Sequence, residues 1–211
     1  MGKLKKADLP EAPAAPFTVR ADFTGYRQRF GIARLLVLVG VIVIGFFVFE
    51  AGTALILLLI AAALVIAGFI GIKSSRITFT GPGVEYRNWH GHTVTLDRDD
   101  IEGAIVFPKF NDASFGAAPR LSIARRRSKS SITLNGLYWP VDLIMGGASV
   151  MDANGISVKQ CDDYVNFVEV AKRFPKHSTF LERNWVKVGL VIAFFGVIVP
   201  VTIALIHDAI A

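Results

Sequence analysis

Only one cysteine occurs in the 211 residues. Cys161 can form no disulfide within the chain, and no zinc site built on cysteines is available. Histidine is also scarce. His90 and His92 flank Gly91 with no Cys or further His nearby, so this pair reads as a turn rather than as metal ligands. The carboxylates Asp97, Asp99, Asp100 and Glu102 lack the ordered spacing and central glycine of a calcium loop. Gly146-Gly147 has no GxxxxGK[ST] pattern around it, and none of the serines sits in a nucleophile elbow. No catalytic, cofactor-binding or metal residue is therefore expected, and the chain reads as a non-enzyme.

The most informative scarcity is of positive charge. All 23 Lys and Arg fall in two segments, seven in residues 1–34 and sixteen in 73–187. Apolar runs occupy the gaps. Leu35–Phe49 is uncharged, Glu50 to Thr53 interrupt it, and Ala54–Ile72 continues it. From Ala51 to Ile72 a helix would be roughly 33 Å long, enough for a hydrocarbon core of about 30 Å. Val188–Ile206 is a third run of 19 uncharged residues. The expected layout is a multi-pass inner-membrane protein with a transmembrane hairpin at 30–72 and a third span at 188–207. The charge split puts the N-terminus and residues 73–187 in the cytoplasm and the C-terminus outside. With 34 largely polar residues ahead of the first apolar run, a cleavable signal peptide is not expected.

Residues 1–29 form a basic, Pro/Ala-rich arm with no core of its own. Within it Phe17, Arg20, Phe23, Tyr26 and Arg27 interleave aromatics with cations, and these are candidate contacts to a partner protein. Nucleic acid would use the same residue types, but a place beside a span argues against it. Residues 73–175 change texture to short β-prone runs. These are Ile77–Thr80, Val84–Trp89, Thr93–Leu96, Ile101–Phe107, Leu121–Ala124, Ile132–Leu134 and Gly136–Ile144, with turns at Gly81-Pro82-Gly83 and His90-Gly91 and a loop over Lys109–Pro119. Ser157–Phe174 has helical spacing, with Val158, Cys161, Val165 and Val168 on one face, and Pro175 ends it. Residues 176–187 make a basic linker. The tip Arg125, Arg126, Arg127 and Lys129 concentrates four cations on one short loop, a candidate contact for anionic lipid headgroups or an acidic partner.

The stretch Ile77-Thr78-Phe79, Gly83-Val84-Glu85-Tyr86-Arg87 and Asp99-Asp100-Ile101-Glu102-Gly103-Ala104-Ile105 resembles the bacterial pleckstrin-homology (PH) domain membrane proteins, over roughly Lys73–Phe174. The resemblance implies an α+β membrane protein: a transmembrane hairpin, a cytoplasmic PH-like antiparallel β-barrel with a C-terminal capping helix, and here a third transmembrane helix. It supplies no catalytic residues and implies binding and scaffolding. The expected task is that of a non-catalytic accessory subunit among other integral membrane subunits. An actinobacterial respiratory (cytochrome bcc-aa3) supercomplex is the most specific example. The alternative is a protein that senses anionic lipid and regulates envelope biogenesis.

Overall fold

The computed structural model describes residues 4–22, 51–112 and 116–194, together with 25, 27, 39 and 40; within its helices some side chains are likewise left undescribed. The described elements are β1 (Lys5–Lys6), β2 (Phe17–Arg20), α1 (Ala51–Lys73), β3 (Arg76–Phe79), β4 (Gly83–Arg87), β5 (Thr93–Asp97), β6 (Ile101–Asp112), β7 (Gly116–Arg125), β8 (Ile132–Asn135), α2 (Val141–Ala153), β9 (Val158–Gln160), β10 (Val165–Asn166), α3 (Phe167–Arg173), α4 (Phe180–Arg183) and α5 (Trp185–Ala193).

Two sheets and helix α2 enclose the main core. The first sheet is antiparallel, in the order β2-β3-β4-β5; the second has the order β1-β9-β6-β7-β8, with β10 also on β6. Strand β2 pairs with β3 so that Arg20 faces Arg76. Ala21 and Ser75 therefore lie at the same end of the sheet, where Ala21 N donates to Ser75 O at 3.3 Å. The main core gathers Val19, Ile77, Phe79, Val84, Leu96, Val106, Leu121, Ile123, Ile144 and Met151. Strand β6 is apolar on both faces because both are covered. Ala104 and Val106 face the main core. Ile105, Phe107 and Phe110 face a second cluster with Cys161, Val165 and Val170, beneath α3. Proline cannot donate to a ladder, and the β6–β7 register shifts between Phe107 and Phe110, around Pro108.

The expected span assignment is overturned. Among the described residues, no helix is long and apolar enough to cross a membrane. The first half of the expected hairpin lies almost wholly outside the described residues. The multi-pass localisation and its orientation fall with the spans.

The β-barrel with a Ser157–Phe174 capping helix is corrected as well. The strands make two sheets, and the second includes parallel pairings of β6 with β9 and β10. Residues 158–160 and 165–166 join it as strands, because β6 offers an unfilled backbone edge. A helix starts only at Phe167, where Asn166 and Glu169 form a reciprocal capping box. Conversely, Val141–Ala153 is a helix where Gly136–Ile144 reads as a strand. It ends in a Schellman motif: Gly155, at φ +76°, donates to Asp152 O, and Ile156 N donates to Met151 O at 2.9 Å. Its glycines let it approach the first sheet closely. A Cβ on Gly147 would lie 2.2 Å from the Phe79 ring, and one on Gly146 would lie 3.4 Å from Phe17.

The N-terminal arm is part of this body. Lys5 and Lys6 pair with Gln160 and Lys159. The Ser149 hydroxyl donates to Pro10 O at 2.8 Å, and Phe17 stacks on Phe79 with ring centroids 6.4 Å apart. The expected loop Lys109–Pro119 is mostly strand as well, with β6 running to Asp112 and β7 starting at Gly116.

Candidate functional site

Strand β7 alternates between two environments. Leu121 and Ile123 enter the main core, while Arg120 and Ser122 turn the other way and are equally buried. A buried guanidinium needs partners, and the C-terminal segment brings them. Both η-nitrogens of Arg120 donate to the Glu182 carboxylate, one of them at 2.9 Å to Oε2. The guanidinium lies 4.5 Å from the Phe110 ring centroid. Ser122 Oγ donates to His177 O at 2.6 Å, and the His177 Nδ1 lies 3.2 Å from Ser122 O. The Nε of Arg120 is buried without a hydrogen-bond partner.

Glu182 holds both ends of this arrangement. Its carboxylate also accepts from Thr179 N at 2.7 Å, while Thr179 Oγ1 accepts from Glu182 N. That reciprocal box starts α4. One side chain therefore caps a helix and neutralises the buried arginine, and the pair ties α4 and α5 to the second sheet. The T-shaped contact of Phe167 with Trp185, centroids 5.9 Å apart, ties α5 to α3. A cleft of about 380 Å³ remains beside the pair, walled by Phe110, Tyr138, Trp139 and Phe167 with Asp112 and Asn135 on its polar side. The arrangement can hold segments together. Among the described residues no group of three or more His, Cys, Asp or Glu could hold a metal ion.

Burial holds the His177 imidazole below its ordinary value. The hydrogen bond with Ser122 and the Glu102 charge oppose this, and the charges of Arg120 and Lys159 add to it. The unfolded chain, with a histidine pKa of about 6.5, therefore takes up a proton first as pH falls. Stability is complete above that value and declines below it. The midpoint of thermal unfolding is expected to drop between about pH 7 and 5.5, and to drop less in His177→Asn. Parallel pH profiles for the two proteins would show that His177 does not drive the decline.

The residues singled out from sequence are scattered. Arg125 ends β7, while Arg126, Arg127 and Lys129 are exposed in the β7–β8 turn. Ile101 faces Arg125, and Arg126 N donates to Asp100 O at 2.7 Å. The backbone of Asp100 and Ile101 therefore lies beside the start of the basic tip. Phe17 faces inward, Arg20 and Arg27 are exposed, and Phe23 and Tyr26 lie outside the described residues. His90 and His92 sit in a turn where Asn88 Oδ1 accepts from both backbone N–H groups at 3.0 Å. Sequence reasoning missed Arg120 and Glu182. The available signal was the capping-box spacing of Thr179 and Glu182 ahead of an apolar run.

Large exposed apolar side chains concentrate on three helices. Leu59, Val65, Ile66 and Ile70 protrude from α1, Phe180 and Leu181 from α4, and Leu190 and Val191 from α5, each more than half exposed. Comparison with known protein families, curated proteins and solved structures finds no match for this chain.

Proposed function

We propose that this chain is a non-catalytic scaffold subunit that assembles with other proteins through its apolar helices. The observation carrying the proposal is the contrast between the sheets and the helices. The sheets close over their own cores, while α1, α4 and α5 leave large aliphatic and aromatic side chains uncovered. Large apolar side chains left exposed in number mark a contact with another molecule. The Arg120–Glu182 pair supports the scaffold role by fixing α4 and α5 to the folded body.

The test is isolation of the tagged full-length chain from its native cells under mild conditions, followed by native mass measurement. The expected result is a complex of fixed stoichiometry. Replacing Leu59, Ile66 and Ile70 by Ser should release the partners and leave the β-sheet circular dichroism unchanged. A native chain recovered alone would refute the scaffold reading.

A further inference from the structure

We infer that the outer edge of β9 is a strand-addition site for a basic, extended segment of a partner protein, and that the chain's own residues 4–9 are its exchangeable occupant. The resident tip shows what the edge accepts. Lys5 and Lys6 run antiparallel to β9, opposite Gln160 and Lys159. Lys5 Nζ lies 2.6 Å from Asp162 Oδ2, and Lys6 Nζ lies 3.7 Å from Asp152 Oδ2. Gln160 steadies Asp162 by donating to its Oδ1. Two carboxylates therefore flank the edge, and each meets one cation of the occupant. Ala7 follows the lysines into the main core.

The tip is held less firmly than the rest of the arm. Its ladder is two residues long. Both lysines are more than half exposed, and ion pairs in that setting contribute little. The hydrogen bonds that continue the pairing, Ala7 N to Val158 O and Asp8 N to Gln160 Oε1, are both 3.4 Å long, beyond the usual range. Of residues 4–9 only Ala7 is buried, and it brings one methyl group to the core. Residues 10–20 have separate anchors. Pro10 O accepts from Ser149, Phe17 stacks on Phe79, and the four residues of β2 pair with β3. Residues 4–9 can therefore lift while the rest of the arm stays in place. Lifting bares the backbone of β9, and an open edge is a template for a new strand.

Room beside the tip separates the occupants. A cleft of about 340 Å³ lies along Ala7 and Leu9 against Ser149 and Ala153. Another of about 240 Å³ lies between Lys5 and Lys6 and the start of β9. The tip of a second copy would make the same contacts and leave the same clefts, so exchange between copies gains nothing. It would also compete with a tethered tip whose effective concentration is about millimolar. The occupant that displaces the tip offers two adjacent cations to Asp162 and Asp152, followed by an apolar side chain larger than alanine. This goes beyond the scaffold reading and does not rest on it, because β9 is not one of the exposed apolar helices.

The test is fluorescence anisotropy of two labelled peptides with the full-length chain. One peptide copies residues 2–11, and the other carries Ala7→Leu in that sequence. In the chain, Lys5→Glu/Lys6→Glu sets acids against Asp162 and Asp152 and frees the edge. Ala7→Pro frees it without a change of charge, by removing the donor to Val158 O. Both variants are expected to bind the first peptide about tenfold or more tighter than the native chain does, since the tethered competitor is gone. The leucine peptide should bind several-fold tighter than the first. Adding Asp152→Asn/Asp162→Asn to Ala7→Pro should weaken binding several-fold, an effect that shrinks as salt is raised. No binding by either freed variant overturns the inference. Equal binding by the native chain and both freed variants also overturns it, because the peptide then sits elsewhere. Dimers of the native chain that are lost in Ala7→Pro, without peptide binding, overturn it in favour of exchange between copies.

Discussion

Arg120→Ala is expected to destabilise the chain by about 3–5 kcal/mol, the usual cost of removing one partner of a buried ion pair. For a chain of this size that is a fall of roughly 6–20 °C in the midpoint of thermal unfolding. The Arg120 side chain is 3% exposed and that of Glu182 is 16%. Truncation therefore leaves a carboxylate largely shielded from water with no cation. It also removes the guanidinium from the Phe110 ring and a donor from His177 O. The pair itself need not be stabilising relative to an apolar replacement, because desolvating two charges offsets much of their attraction. Arg120→Met combined with Glu182→Gln separates the two effects. Glutamine keeps the third capping-box position of α4, so this double variant should recover at least half of the loss. Urea unfolding of the wild type, both single variants and the double variant closes the cycle. A coupling near zero would mean that α4 and α5 are not held through this pair.

Val165→Asp is expected to cost several kcal/mol at neutral pH. Val165 is fully buried, among Ile105, Phe107, Phe110, Cys161 and Val170. A carboxylate placed there has to lose its hydration or take up a proton. In the second case the burial raises its pKa, so the variant should be relatively less impaired as the buffer is made acidic. Val165→Asn has a similar shape without the charge and should cost roughly 1–3 kcal/mol. Equal urea midpoints for Val165→Asp and the native chain would mean that β10 does not lie against β6.

Much of the first sheet is legible in the amino-acid sequence. Val84 to Arg87, Thr93 to Leu96 and the turns at Gly81-Pro82-Gly83 and around Gly91 are local signals, and local chemistry suffices to place them. Helix α2 is not legible in the same way, because Gly146 and Gly147 read as a break. Their role is to bring the helix close to Phe79 and Phe17, which only the packed state brings together. The stretch 157–174 misleads in the opposite direction. Val158, Cys161 and Val165 have helical spacing and all three are buried. Val158 is buried in the main core, however, and Cys161 and Val165 in the second cluster, as the segment adds to the open edge of β6. The basic tip is visible as a run of letters, while the Arg120–Glu182 pair joins residues 62 positions apart.

The sequence by itself determined composition, the clustering of charge, the apolar runs and the β-prone stretches that tight turns separate. These depend on near neighbours, whose spacing is set by covalent geometry. The tertiary structure alone decided which strand edges are filled, which glycines serve packing, and that a capping glutamate also neutralises an arginine 62 residues away. Those outcomes depend on backbone hydrogen bonds and buried charges finding partners across the fold. A buried donor or charge must be satisfied wherever the chain brings a partner, and sequence distance does not enter that requirement.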